Sequence, residues 1–539
     1  MNDDNSNSIT LNHNQETAKQ NIHDFIISAD KYYVLMGAAG TGKTSLITQI
    51  FNDDRYKGKS IAFAATTNKA VAVLKILSPL KGKNVTYTTI HKLLNIRRRI
   101  NYNGQAEYKA ESEILGFVKK NYDIIIVDEA SMVSRDMIEQ MDRVMRGRKN
   151  KIIYVGDINQ LPPINENRSS IFTRNYPYSL LTIIERYKND IVKYATSIIK
   201  PKTHKIKYAD LGTEVEFNKD SSIWINTYCE NVETSIMLAY TNRRVNYLNK
   251  IIRHQLFNTT EKYVINDKIV FNSPYTEIDY RIHTSEIGII KYIDKDMGVL
   301  PEIVLDQLMN LKLKIKIKNN SPMDMAPIAD KDKDKDICPI CFDDDIDIMR
   351  QTKCGHRFCS GCIKLWLDKH DTCPYCRCDL NNNIINIKDC SELSTLLNDI
   401  VSYTTNLHIN INYITIEKNG ICRTVVIIDP QDEPKYKEII EFIETTLQKY
   451  KKLVFKMKDD DAFIKILLTR IWEFFYLNYI DKFANIDYGY CITIHKSQGS
   501  TYENVFVDLK DIVSNNSTDT KECVYTAITR ASDTLNILR

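Results

Sequence analysis

Three short segments carry the residue types that handle a polyphosphate. Tyr32-Tyr33-Val34-Leu35-Met36 runs into Gly37-Ala38-Ala39-Gly40-Thr41-Gly42-Lys43-Thr44 and then Ser45-Leu46-Ile47-Thr48, which reads as strand, glycine loop and helix. Glycines let a backbone close around phosphates, N–H groups at a helix start bind the anion, a lysine bridges the outer phosphates and a hydroxyl holds magnesium. Gly37 to Thr44 is therefore a nucleotide cradle, with Lys43 on the phosphates of ATP or a close analogue and Thr44 on Mg2+. The apolar run from Asp123 ends in adjacent carboxylates, Asp128 and Glu129. At the end of a buried parallel strand, one carboxylate can hold the metal and its neighbour can orient the attacking water, as phosphoryl transfer requires. Asp128 takes the metal and Glu129 the water. A third strand, Lys151 to Val155, leads into Gly156-Asp157-Ile158-Asn159-Gln160-Leu161-Pro162-Pro163, where Gln160 is placed to sense the third phosphate.

A second constellation is unrelated to the first. Cys338, Cys341, Cys354, His356, Cys359, Cys362, Cys373 and Cys376 form four spaced pairs of soft ligands, the set that two tetrahedral zinc ions need. A piece of about forty residues lacks the apolar core to fold without such metals. Eight of the 13 cysteines fall between Cys338 and Cys378, and Cys378 is left over. With a polar Asn/Asp-rich start and no cationic and apolar signal segment, the cluster points to metal binding in a reducing compartment, cytosol or nucleus, and not to a secreted disulfide framework.

These elements need a scaffold of several domains. At 539 residues the chain is expected to hold three or four. Hydrophobic residues at 43% and charged residues at 26% exclude a disordered tail or a coiled coil. A formal charge of +4 excludes a histone-like polycation and leaves room for a local basic groove. No apolar run is long enough to span a bilayer; Phe463 to Ile480, interrupted by Lys465, Arg470 and Glu473, reads as an amphipathic helix and excludes a membrane partner there. Arg97-Arg98-Arg99 precedes Asn103-Gly104, a two-residue hairpin signal. Ile409 to Ile428 looks strand-rich and Tyr436 to Leu453 helical, without a chemical constellation in either.

Taken in order, the phosphate segments resemble superfamily 1 helicases, in the branch that contains the phage Dda helicase and RecD. Leu11-Asn12-His13-Asn14-Gln15-Glu16-Thr17-Ala18 resembles the family's Q-motif, in which the position of Gln15 reads adenine. Ala64 to Ala70 resembles motif Ia and Thr88-Thr89-Ile90-His91 the adjoining strand-contacting element, although Thr66 stands where Dda places a base-stacking proline. Leu181 to Arg186 resembles a segment that delivers an arginine finger, Ala239-Tyr240-Thr241-Asn242 the next nucleic-acid contact, Thr493 to Thr501 motif V and Val524 to Ala531 motif VI. The resemblance implies that Arg186 and Arg530 are fingers that neutralise charge on the transferred phosphoryl group across a cleft. It also implies that a hairpin at about 94–110 is a pin that splits the duplex, and that the chain moves 5′-to-3′ on single-stranded DNA. RNA remains a second substrate reading, because a groove that tracks phosphates and stacks bases need not read the 2′-hydroxyl.

The cysteine spacing resembles a RING finger, in which alternate pairs share each ion. By that pattern Cys338, Cys341, Cys359 and Cys362 bind one zinc and Cys354, His356, Cys373 and Cys376 the other. Ile340, Trp366 and Pro374 stand where ubiquitin ligases of this type contact the conjugating enzyme, and Arg377 where a linchpin arginine steadies charged ubiquitin. The expected fold class is α/β: two RecA-like P-loop lobes with an inserted small β-barrel and a RING-type zinc module. The expected boundaries are a first lobe over 1–175, the second lobe over 176–258 and 487–539, a barrel and charged linker over 259–335, the zinc module over 336–380 and the rest of the insertion over 381–486. The expected activity is an ATP-dependent helicase with a RING-type ubiquitin ligase; the competing reading is a ligase whose helicase body is a nucleic-acid clamp.

Overall fold

A computed structural model of the chain describes residues 10–77, 84–110, 122–145, 149–184, 190–199, 212–296, 408–454, 461–514 and 519–539, with shorter pieces between 312 and 403. Two parallel sheets dominate it. The first runs Val85–Thr89, Ile61–Ala65, Ile124–Val127, Lys151–Gly156, Tyr32–Gly37, Tyr178–Leu181, each strand parallel to its neighbour. Alternate side chains on a strand face opposite ways, so a strand covered on both faces must be apolar throughout. Ile124–Val127 shows this: Ile125 and Val127 join Ala62, Tyr154, Ile138 and Met141 in one core. Ile124 and Ile126 join Phe63, Ile153, Ile22 and Leu46 in the other. The sheet keeps Tyr178–Leu181 as its edge, so the chain leaves the first lobe after Leu181 and not at the expected 175.

The second parallel sheet runs Cys491–Thr493, Ser235–Ala239, Tyr502–Asp508, Ala531–Leu538, Val215–Asn218. Strands separated by some 250 residues of insertion thus lie side by side. Helices Asp190–Ile199 and Thr520–Ile528 share its core through Ile191, Tyr194, Val524 and Ile528.

The segment inserted into the second lobe forms a five-stranded antiparallel sheet, ordered Ile421–Ile428, Ile411–Lys418, Ile287–Asp296, Lys268–Phe271, Ile486–Tyr488. Next to the last strand, Ala484 N–H donates to Val426 C=O at 2.7 Å, which brings the two ends of the sheet together. A buried polar knot ties this sheet to the second lobe. Asp267 accepts from Arg253 Nε at 2.8 Å, Val264 N–H at 3.1 Å and the Tyr490 hydroxyl at 2.7 Å.

Helices Glu433–Val454 and Asp461–Phe475, the latter continuing as a π-turn over Tyr476–Ile480, form an arm with its own core of Ile439, Ile443, Leu447, Leu468, Ile471, Trp472 and Phe475. That core also takes Ile100 from the hairpin of Ile96–Ile100 and Ala106–Ala110. The hairpin is not closed by the two-residue turn that Asn103-Gly104 suggested. Asn101 N–H bonds Gln105 C=O at 2.9 Å, leaving a three-residue loop in which Gly104 alone takes a positive φ, 81°. A type I turn followed by a left-handed glycine closes such loops. The tip is docked: Gln448 Nε2 and Lys451 Nζ bond Asn103, and the Tyr476 hydroxyl bonds Gly104 C=O at 3.1 Å. A Cβ on Gly104 would meet the Trp472 ring at 2.9 Å. Arg98 Nη1 donates to both oxygens of Asp481 at 2.8 Å.

No described helix is long and apolar enough to cross a membrane. Of the expected sites, Cys338, Ile340, Cys341, Cys354, Cys376, Arg377 and Arg186 lie outside the described residues.

Removing one partner of a buried, hydrogen-bonded ion pair leaves an uncompensated charge, which costs about 3–5 kcal/mol. Asp267, fully buried against Arg253, meets that condition. Asp267→Ala should lower stability by roughly 3 kcal/mol in urea unfolding followed by tryptophan fluorescence; a midpoint unchanged from wild type would refute the anchoring role.

Candidate functional site

The carboxyl ends of the first sheet's strands gather the phosphate segments along one edge, where open α/β sheets bind ligands. The cradle follows Tyr32–Gly37, Asp128 and Glu129 follow Ile124–Val127, and Asp157 to Gln160 follow Lys151–Gly156. Gly40 and Gly42 take φ of 79° and 77°, and Gly42 caps the nine-residue helix Lys43–Phe51 without any side-chain cap, so its first N–H groups face the loop. Lys43 Nζ donates to Gly37 C=O at 2.6 Å and Ala38 C=O at 2.9 Å, which holds the ammonium over the loop. Thr44 is half-buried on the helix's first turn.

Gln15 sits against this loop and does two structural jobs. Its Nε2 donates to Thr41 C=O at 3.1 Å, and its Oε1 accepts from Asn12 N–H while Asn12 Oδ1 accepts from Gln15 N–H, a capping box for the helix His13–Ile27. A Cβ at Gly42 would lie 2.6 Å from Gln15 Nε2 and displace that amide, and the φ of 77° there favours glycine.

Glu129 adopts φ 53°, a left-handed conformation costing roughly 1–3 kcal/mol in a non-glycine residue. Its N–H donates to Asp128 Oδ1 at 2.9 Å. Burial, and then the neighbouring Glu129 carboxylate, push Asp128 well above the usual carboxylate range. A bound cation reverses both effects, so this pair suits a divalent metal.

The second lobe closes over that edge through residues that the motif reading left without a role. Tyr525, on the helix Thr520–Ile528, accepts from Ala39 N–H of the cradle at 2.8 Å and donates to Asp157 at 2.6 Å. Thr526 Oγ1 accepts from Leu161 N–H at 3.0 Å, and Gln498 Nε2 donates to Leu161 C=O at 3.3 Å. Gln160, 9% exposed, is held between these contacts and donates its N–H to Asp157 C=O at 3.2 Å. A buried phenol needs a partner, and Tyr525 lies five residues before Arg530 on the motif VI segment; that was the available sequence signal. Arg530 itself is buried, donating to Thr526 C=O at 3.1 Å and Ser500 C=O at 3.2 Å in its own lobe.

Beside the carboxylates, Thr66 lies against Met132, and Thr67 Oγ1 accepts from Ala70 N–H. Across the cleft, a Cβ at Gly499 would come within 3.1 Å of Thr67 Oγ1, so motif V and motif Ia approach at a glycine. His91 lies edge-on to Tyr108 of the hairpin at 6.1 Å, His495 near Tyr240 at 6.1 Å, and burial lowers the pKa of both imidazoles. Thr182 N–H bonds Asn14 on the first lobe at 2.8 Å, so the segment leading to Arg186 starts from the first lobe.

In the cysteine-rich stretch, His356 Nδ1 and Cys373 Sγ stand 3.7 Å apart. Two ligands of one tetrahedral zinc, with bonds near 2.1 and 2.3 Å, are about 3.6 Å apart. Trp366 stacks on His370 at 4.0 Å and donates to Thr372 C=O at 2.6 Å, which gives it a packing role beside Cys373.

Comparison with known families places matches on these same regions. An AAA domain matches residues 10–212, a UvrD-like helicase C-terminal domain 488–538, and a C3HC4-type zinc finger (RING finger) 338–376. The uncharacterized protein R530 of Acanthamoeba polyphaga mimivirus is 27% identical over 98% of each chain. The ATP-dependent DNA helicase dda of Enterobacteria phage T4 is 29% identical over 46% of this chain and 58% of its own. The RecBCD enzyme subunit RecD of Buchnera aphidicola subsp. Schizaphis graminum is 31% identical over 38% of this chain and 36% of its own. These matches, falling on the residues just described, support an ATP-dependent superfamily 1 helicase of the Dda and RecD kind with a RING-type zinc finger in its middle. It spans about half the length of the phage helicase and a third of RecD.

Removing a hydroxyl that satisfies a buried carboxylate costs about 1.5–3 kcal/mol. Tyr525→Phe should therefore lower the thermal unfolding temperature by a few degrees and slow ATP turnover roughly tenfold to a hundredfold at saturating nucleotide. An unaltered kcat would show that the bridge only packs the lobes together.

Proposed function

We propose that the chain is a motor that hydrolyses ATP between its two parallel lobes and moves on single-stranded nucleic acid, with DNA preferred and 5′-to-3′ travel. The observation that carries the reading is the junction of Tyr525, Asp157 and Ala39, which makes the phosphate cradle one end of a contact whose other end is the second lobe. A cleft wired in this way converts a change at the cradle into lobe movement, and lobe movement is what stepping requires. Bound Mg2+ supplies charge neutralisation on the transferred phosphoryl group. Thr44 and Asp128 hold it, Lys43 and the Gly37 to Gly42 amides hold the phosphates, and Glu129 orients and deprotonates the attacking water. Gln160 reads the third phosphate and passes its state to Leu161 and the second lobe. Arg186 and Arg530 act as fingers; Arg530 reaches the phosphates by exchanging its carbonyl partners when the lobes tighten. Gln15 positions the loop and reads the adenine edge.

The antiparallel sheet serves as the small β-barrel of the insertion, a reading supported by the Ala484–Val426 contact at its open side. The Asn68–His283 contact at 3.0 Å sets it against motif Ia. The hairpin, braced at its tip, acts as the pin.

The zinc module takes two ions in the alternating pairing of Cys338, Cys341, Cys359 and Cys362 against Cys354, His356, Cys373 and Cys376. The His356–Cys373 separation supports the second set. Through Ile340, Trp366, Pro374 and Arg377 the module docks a ubiquitin-conjugating enzyme and gives ligase activity.

Loss of a general base costs about 10²- to 10⁴-fold in rate. Steady-state hydrolysis should be strongly stimulated by single-stranded DNA, more than by RNA of matched sequence, and Glu129→Gln should lower it at least a hundredfold while nucleotide binding persists. No turnover with either strand would transfer the function to the competing clamp-and-ligase reading. For the module, purified chain with activating and conjugating enzymes should build ubiquitin chains on itself, and Arg377→Ala should stop this without releasing zinc. Absence of a ladder across a broad panel of conjugating enzymes would end the ligase assignment.

A further inference from the structure

Away from the ATP cleft, an open groove of about 480 Å³ runs between the hairpin strand Ile96–Ile100 and the helix Asp461–Phe475. Arg97 and Arg99 line one wall; Lys465, Thr469, Arg470 and Glu473 line the other. Both walls follow from local periodicity. Arg97 and Arg99 are two apart on a strand and share a face, opposite to that of Tyr108 and its neighbour His91. Lys465, Thr469 and Glu473 recur every four residues on one helix face, while Leu468, Ile471, Trp472 and Phe475 fill the core behind it. Arg98 also lines the groove, so its lining carries five cationic side chains and one carboxylate, with Arg470 paired to Glu473 at 2.9 Å and Arg98 to Asp481 at 2.8 Å.

We propose that this groove binds the phosphate backbone of duplex nucleic acid arriving at the hairpin. Three observations select that ligand. The lining is cationic and hydroxylic, the chemistry that contacts phosphate oxygens. Among the described residues that line it none is aromatic, whereas a track for single strands stacks bases on aromatic side chains. Its walls are held at a fixed spacing, because Asn103 and Gly104 at the hairpin tip are bonded to Gln448 and Tyr476 of the arm, and Arg98 is clamped to Asp481. A rigid helical backbone needs a rigid counterpart; a flexible single strand does not. The two faces of the hairpin then serve two tasks, with His91 and Tyr108 on one face and incoming phosphates on the other. The inference rests on the motor reading for placing a fork at the hairpin, and the groove's own chemistry requires only the duplex.

The test uses the full chain carrying Lys465→Glu and Arg470→Glu, Arg470 exposed and Lys465 half-buried over the Tyr102 ring, with the milder pair Lys465→Gln and Arg470→Gln as a second variant. Binding of a blunt 20-base-pair DNA duplex and of oligo(dT) is measured by fluorescence anisotropy across a salt series, alongside ATP hydrolysis stimulated by oligo(dT). Each phosphate contact contributes about 0.9 to the log Kd against log salt slope, so the slope for duplex should fall by roughly two and its affinity by about tenfold or more. Oligo(dT) affinity and oligo(dT)-stimulated hydrolysis should stay within about twofold of wild type, the glutamine pair shifting duplex binding in the same direction. Duplex affinity and slope equal to wild type would overturn the proposal, and so would an equal loss for oligo(dT), which would make the groove part of the single-strand track. Wild-type hydrolysis indifferent to oligo(dT), with the duplex slope still falling in the variant, would sink the motor reading and leave the groove standing.

Discussion

The fold turns on one buried hydroxyl. Tyr525 stands almost without solvent exposure between a backbone amide of the phosphate cradle and the carboxylate of Asp157, itself 1% exposed. A polar group withdrawn from water is tolerated only when its hydrogen bonds are made, so the two lobes must approach until that phenol is satisfied from both sides. Thr526 and Gln498 repeat the logic on Leu161, one residue beyond Gln160. Because these bonds are short and directional, separation of the lobes breaks several of them together. That is the physical basis for treating the cleft as a switch with distinct arrangements and not as a soft hinge.

Parallel sheets make such a cleft natural. Both faces of each sheet are covered, which leaves the strand ends as the places where functional side chains can collect. The price is paid in the connections: the second sheet is completed only by strands that return after a long insertion, and the insertion must be anchored. The Arg253–Asp267–Tyr490 knot at the lobe's edge provides one anchor, and Asn249, bonded to Cys491 on both its amide groups, provides another.

The arm built from Glu433–Val454 and Asp461–Phe475 braces the hairpin from above. Tyr102 lies under Lys451 and Lys465 at 5.5 and 5.6 Å, and Ile100 enters the arm's core, so the hairpin is held by burial and by cations over an aromatic face. An isolated two-stranded hairpin is marginal in water, and a wedge must resist force. Docking the tip on a second domain supplies that resistance.

Much of the candidate site was legible from the residues alone. Lys43, Asp128, Glu129 and Gln160 follow from local rules, since a glycine loop after an apolar strand and adjacent carboxylates after another have few alternative uses, and the cysteine spacing likewise announces zinc. The alternation of Ile124 to Val127 between two cores was implicit in an unbroken apolar run. What the sequence withheld were contacts between residues hundreds of positions apart. Tyr525 with Ala39, the hairpin tip with Gln448 and Tyr476, and the pairing of 268–296, 411–428 and 486–488 into one antiparallel sheet are written in no local pattern, although Ile409 to Ile428 reads as strand. Even the hairpin turn was misread from Asn103-Gly104, because the dipeptide fits two loop lengths and the docking of Gly104 on Trp472 selects between them. Local sequence determines which side chains are chemically able; only tertiary structure decides which of them meet, since that depends on how whole faces of distant segments bury one another.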